Sequence, residues 1–200
     1  MSTKQRVSRR RRNLVIATTC AGGAAAGATA VPFVAFMLPS ERAKALGASV
    51  EADFSTLAPG QKMTVEWRGK PVWILHRTKE MLAAVKADDG KVADPNSERK
   101  PGVVTPDYAK NEFRSIKPEI LVVVGICTHL GCSPQDKFQS GKEPFDPEWR
   151  GGWYCPCHGG LFDLAGRVHK NKPPPDNLYV PPHMYLADSR ILIGEDKKGP

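Results

Sequence analysis

Two short stretches carry most of the side chains in this sequence that could hold a metal. One is Cys127-Thr128-His129-Leu130-Gly131-Cys132 and the other is Cys155-Pro156-Cys157-His158-Gly159. They contain four of the five cysteines and two of the five histidines. Each offers a thiol and an imidazole at close spacing, with a second cysteine nearby. Thiolate and imidazole are the ligands of zinc and of iron–sulfur centres, so paired loops of this kind point to a bound metal. Three assignments suit these residues. A structural zinc takes four of the six and leaves two cysteines spare. A pure disulfide framework pairs the four cysteines and gives the histidines no task. A 2Fe–2S cluster on two cysteines and two histidines uses all six once the other two cysteines are bridged.

The elements that must position these loops are short strands. Glu119-Ile120-Leu121-Val122-Val123-Val124-Gly125 is the most apolar run of the C-terminal part, reads as a buried strand, and ends at the first loop. Gly151-Gly152-Trp153-Tyr154 is a short strand that delivers the second. Leu161-Phe162-Asp163 and Arg167-Val168-His169 flank a turn at Ala165-Gly166. Upstream, 50–54 alternates like a strand, and 62–67 with 71–75 reads as a hairpin. Thr78 is placed to cap a short helix over 79–87. Residues 88–106 are rich in Asp, Gly, Pro, Asn and Ser and read as loop, with a helical turn or two over 106–113. The segment 133–149, with Lys137, Lys142, Glu143 and Pro144, reads as a solvated surface loop. Pro173-Pro174-Pro175 is stiff, and 178–180, 184–186 and 191–194 read as closing strands. Many short strands with Pro/Gly turns predict a mainly β fold, an antiparallel sandwich or small barrel. His76, His169 and His183 read as packed or surface residues, not ligands.

The N-terminal part is of another kind. Lys4, Arg6 and Arg9 to Arg12 supply six of the net eight positive charges, so the rest of the chain is close to neutral. A nucleic-acid partner needs a basic face on the folded domain, and here the excess sits on a tail. Residues 13–39 contain no charge. A helix over the 25 residues from Leu14 to Leu38 reaches about 37 Å, enough to span a hydrocarbon core of about 30 Å. Pro32 predicts a kink near Ala28, and Cys20 reads as a small buried hydrophobe. The run is longer than the apolar part of a secretory signal, which favours a retained anchor. Residues 40–49 lack a strand pattern and read as a flexible neck.

At this point a resemblance can be named. C-T-H-L-G-C and C-P-C-H-G are similar to the two loops of Rieske iron–sulfur proteins. The arginines before an apolar run resemble a twin-arginine export signal. Together with Pro39-Ser40-Glu41-Arg42 and the phrase from Thr64 to Val72, the chain resembles, over nearly all its length, the Rieske subunit family of bacterial quinol–cytochrome c oxidoreductases, the cytochrome bc complexes. The resemblance implies four parts: a cytoplasmic basic tail over 1–12, a transmembrane anchor over 13–39, a neck over 40–49, and a Rieske head over 50–200 whose cluster-binding part is about 126–175. It implies one 2Fe–2S cluster, with Cys127 and Cys155 on the inner iron and His129 and His158 on the outer one. It implies a disulfide between Cys132 and Cys157, Leu130 at an exposed tip, and Pro173–Pro175 covering the cluster from a third side. His158 is then the quinol contact, with His129 beside it. Cytochrome b, a c-type cytochrome, the membrane and a dimeric complex are the implied partners. The implied location is the bacterial inner membrane, N-terminus in the cytoplasm and head in the periplasm. Two positions depart from the pattern: Gly160 stands where Ser is frequent and Phe162 where Tyr is frequent. The competing readings are a Rieske subunit of another exported oxidoreductase, such as arsenite oxidase, and a zinc-stabilised binding domain without redox function.

Overall fold

The computed structural model describes residues 8–99 and 105–196. Lys4 and Arg6 of the tail, and the last residues of the charged C-terminal segment, lie outside the described residues. The chain divides into two units, Met1–Ala45 and Leu46–Pro200.

In the first unit, helix α1 runs Arg9–Phe36. It therefore starts within the arginine cluster, not at Asn13, because arginine is a good helix former and nothing there breaks the pattern. The helix continues through Pro32. Its large apolar side chains, among them Leu14, Ile16, Val31 and Phe33, face outward all round. Cys20 lies on the same outward surface of the helix. The hydroxyls of Thr18, Thr19 and Thr29 donate to carbonyls of Leu14, Val15 and Ala25 one turn back. A helix that satisfies its own polar groups and is apolar on every side is suited to lipid. A second helix, α2, covers Glu41–Leu46, so the neck segment holds a helical turn, with Glu41 and Lys44 ion-paired along it.

In the second unit, β1 (Val50–Asp53), β2 (Lys62–Trp67), β3 (Lys70–His76) and β4 (Ile120–Val124) build two antiparallel sheets together with β10 (His183–Ala187) and β11 (Arg190–Ile193). One sheet has the order β1-β11-β10 and the other β2-β3-β4. The second is the central layer, and its sequence shows why. Val72, Ile74, Ile120, Val122 and Val124 pack toward Ile191 and Ile193 of the first sheet. Trp73, Leu75, Leu121 and Val123 point the other way, into a second core. A strand buried on both faces reads as a continuous apolar run, which is what 120–124 is. Helix α3 (Lys79–Ala87), capped by the Thr78 hydroxyl, lays Val85 into that second core.

The second core is closed by a smaller sheet, ordered β5-β8-β9, from β5 (Gln135–Lys137), β8 (Gly152–Cys155) and β9 (Gly160–Asp163). Between β5 and β8 lies the hairpin of β6 (Gly141–Glu143) and β7 (Asp146–Trp149). The segment read as a surface loop is thus three strands. Its charge is real, since Lys137 pairs with Glu143 at 3.3 Å, but Trp149 is buried and donates to the Lys137 carbonyl. Residues 178–180, expected as a strand, are irregular. Prolines at 173–175 and 181–182 lack the amide a ladder needs, and only single bonds hold the segment, such as Val124 N–H to the Tyr179 carbonyl. The 167–169 strand is reduced to isolated bridges, and 107–109 is a single 3₁₀ turn. The sheets stay open; none closes into a barrel among the described residues.

Candidate metal centre

The first loop leaves β4 at Gly125. A Cβ there would fall 2.1 Å from the Trp73 indole, so only glycine lets the chain turn over that ring. The loop then closes on itself, with Cys127 N–H donating to the Cys132 carbonyl and Gly131 N–H to the Cys127 carbonyl. The second loop is the tip of the β8–β9 hairpin. Cys155 and Gly160 are the last paired residues, and Gly159 takes a φ of 74° to bring the chain back.

This geometry sorts the six candidates. Cys132 and Cys157 are joined by a disulfide across the two loops, with Cα atoms 6.8 Å apart. Cys127 and Cys155 remain free thiols, both almost fully buried. Burial pushes the Cys127 thiol up to about 11, opposed in part by backbone N–H groups of His129 and Leu130. The His129 and His158 rings meet edge to face, centroids 4.7 Å apart. His129 is half-buried, His158 exposed, and Leu130 beside them is 70% exposed. Apolar interior therefore lies behind the thiols and solvent in front of the imidazoles. The disulfide pairing implied by the resemblance is present, and it withdraws two cysteines from any zinc set.

The donors fit a 2Fe–2S group. The two loops offer two buried thiols and two adjoining imidazoles, and Nδ1 of His129 is buried with no hydrogen-bond partner. A buried ring nitrogen left unpaired costs free energy unless it serves as a ligand.

Behind the second loop is a feature with little trace in the sequence. Asp163, at the end of β9, accepts from the backbone of Ala165 and Arg167 and from the Arg167 guanidinium at 2.8 Å. Arg77 donates to the Leu164 carbonyl, and Arg114 to those of Ala165 and Gly166. All three arginines are buried. Burial lowers Arg77 to about 9 and Arg114 to about 10, with Asp163 acting against it. The turn that ends the cluster hairpin is thereby fixed by three guanidiniums, Arg167 on the Asp163 carboxylate and Arg77 and Arg114 on its carbonyls. The spacing of Asp163 and Arg167 was the only available sign. His76 bonds the Leu57 carbonyl, while His169 and His183 are buried, so none joins the site.

A two-loop site of this form, on an open antiparallel scaffold, defines an iron–sulfur domain of the Rieske class, and residues 98–182 match the Rieske [2Fe-2S] domain family. Residues 1–40 match a family described as the ubiquitinol-cytochrome C reductase Fe-S subunit TAT signal. The ubiquinol-cytochrome c reductase iron-sulfur subunit of Allochromatium vinosum is 56% identical over 188 residues, covering 94% of this chain and 89% of the relative. The subunit of the same description from Rhodospirillum rubrum is 44% identical, covering 82% and 79%. A solved structure described as a hyperthermophilic respiratory Complex III contains a chain that aligns at 26% identity, with TM-score 0.45, covering 88% of this chain and 98% of that one. The chain belongs to the ubiquinol-cytochrome c reductase iron-sulfur subunit family.

Proposed function

We propose that this chain is the membrane-anchored electron-transfer subunit of a respiratory quinol–cytochrome c reductase, oxidising quinol and passing electrons to a c-type cytochrome with coupled proton translocation. The observation that carries this reading is the Cys132–Cys157 bridge, which sets two buried thiols behind two solvent-facing imidazoles. Cys127 and Cys155 are the inner ligands, His129 and His158 the outer ones. A 2Fe–2S cluster held by them supplies one-electron chemistry at a potential raised by the neutral imidazoles.

The rest is the work of the chain's own residues. Cys127, whose burial favours the neutral thiol, gives up its proton when it takes a metal. With Nδ1 of His129 turned inward, Nε2 is the nitrogen left to hold or release a proton at the surface. His158, more exposed, is the group that meets a quinol hydroxyl and accepts its proton. An imidazole bound to a cation releases a proton more readily. Leu130 offers an apolar surface for the quinol ring. Residues 13–39 anchor the chain, 40–49 tether the head, and the head, 50–200 with its cluster-binding part at about 126–175, lies in the periplasm. The arginines remain in the cytoplasm by the positive-inside rule. Cytochrome b, a c-type cytochrome and a dimeric complex in the inner membrane complete the assembly.

The test is EPR of the dithionite-reduced protein with a redox titration, after purification from membranes. The expected result is a reduced 2Fe–2S signal and co-purification with b- and c-type cytochromes. A colourless, EPR-silent, zinc-containing protein overturns the reading, and a different catalytic partner in place of cytochromes redirects it to another exported oxidoreductase.

A further inference from the structure

The proline segment beside the two loops is held from three directions. In the β8–β9 register Gly160 lies directly across from Cys155, so a side chain at 160 would share the face of the Cys155 thiol. A Cβ on Gly160 would meet Pro174 Cγ at 2.7 Å and Cys155 Cβ at 3.3 Å. The proline ring is therefore seated on bare backbone next to a ligand thiol, and Pro174 is buried. From the first loop, the Thr128 hydroxyl donates to the Asp176 carbonyl at 2.6 Å. A further contact comes from Arg99. Its guanidinium donates to the Pro175 carbonyl and lies 3.6 Å from the Asp176 carboxylate.

Arg99 is not a chance surface contact. The turn that presents it is built. Both carboxylate oxygens of Asp94 accept from backbone, one from Glu98 N–H and the other from Arg99 N–H. Asn177, the residue after Asp176, donates to the Asp94 carbonyl and to the Ser97 hydroxyl. Ser97 also accepts from the buried Arg114. The 94–99 turn and the 173–177 segment are thus bolted together at Asn177, and Arg99 reaches forward from that joint to the prolines.

We propose that Arg99 is a positioning residue for the cluster: it latches the proline segment so that Pro174 stays seated on Gly160 and keeps water from the Cys155 side of the site. The inference rests on the proposed cluster ligands. Gly160 has a second meaning under it, since the absent side chain is what lets the ring close down. Loss of the latch leaves the Thr128 bond at Asp176 and the joint at Asn177, both on the C-terminal side of the prolines, and lets the ring lift. Water admitted beside a ligand sulfur favours the more negative, reduced state, which moves the potential up, and opens a path for chelators.

The test uses the full-length protein with Arg99→Gln, Arg99→Lys and Gly160→Ala. Gly160→Ala wedges the same ring from below by a single methyl, independently of the latch. Three quantities are read: the midpoint potential, the rate of absorbance loss under EDTA, and the thermal unfolding of the head. For Arg99→Gln and Gly160→Ala the expected result is chelator-driven loss roughly five-fold faster, the population change that corresponds to about 1 kcal/mol. The potential shifts upward and unfolding of the head is unchanged. Arg99→Lys, which keeps the charge near Asp176, recovers most of the effect. An Arg99→Gln protein with wild-type potential and wild-type loss rate overturns the proposal, and so does one in which cluster loss merely follows a lowered unfolding temperature. Failure of the underlying reading looks different, because the wild-type protein itself then shows no cluster signal.

Discussion

Phe162 is fully buried on the face of β9 that, two residues earlier, brings Gly160 opposite the Cys155 thiol. A tyrosine there would add a hydroxyl, and serine at 160 another. Donors near ligand sulfur stabilise added negative charge. Lacking both, this protein is expected to have a lower midpoint potential than relatives that carry them. Phe162→Tyr is expected to raise it by roughly 60 mV, the one-electron equivalent of about 1.4 kcal/mol for one hydrogen bond to a charged group. A redox titration followed by EPR checks both, and an unchanged value in the variant rejects the idea. Gly160 is the less simple of the two positions, because a side chain there collides with Pro174 before any hydroxyl can be useful.

At the scale of elements, the turn after β9 is where charge is most concentrated inside the head. Removing the Asp163 charge leaves Arg77 and Arg114 without a nearby buried carboxylate and Arg167 with Asp89 alone. Asp163→Asn is therefore expected to destabilise the head by about 3–5 kcal/mol, measured by urea unfolding, as found when a buried ion pair loses one partner. The chemistry of the loops was legible in the sequence because Cys and His have few other uses at such spacing. The central strand was legible because burial on both faces writes an uninterrupted apolar run. The strands of 133–149 were not, since one side of that sheet is wet and its polar residues imitate a loop. Nor was Arg99. Its partners are backbone atoms and a carboxylate brought near by the fold from 76 residues away, and no local pattern encodes that. The expected strand at 178–180 failed because apolar character was weighed without the prolines on both sides.

For the head as a whole, two buried histidines set a pH dependence. His169 faces Asp163, Asp88, Asp146 and Lys91, and His183 faces the Pro181 carbonyl and Asp196. In both, burial dominates and holds the imidazole below its ordinary value of 6.5. The unfolded chain takes up protons as pH falls through 6.5, and the folded head resists doing so. Stability from these residues is thus fully present above about 6.5 and is lost as pH falls toward the lowered folded values. Thermal unfolding from pH 8 to 5 should show this decline, and the His169→Gln, His183→Asn double variant should flatten it.

The disulfide has a consequence for how the protein is made. The sulfur of Cys155 lies within 4.8 Å of those of both Cys132 and Cys157. A free thiol so close to a disulfide is placed for exchange, with Cys155 attacking one sulfur and releasing the other as a thiolate. One tip must therefore keep one cysteine pair reduced and the other oxidised. Committing Cys155 to metal before the bridge closes removes the competing thiol, so the expected order of maturation is cluster first and oxidant second. Chain oxidised before it receives iron should accumulate bridges that include Cys155, visible by peptide mapping, and should no longer take up a cluster.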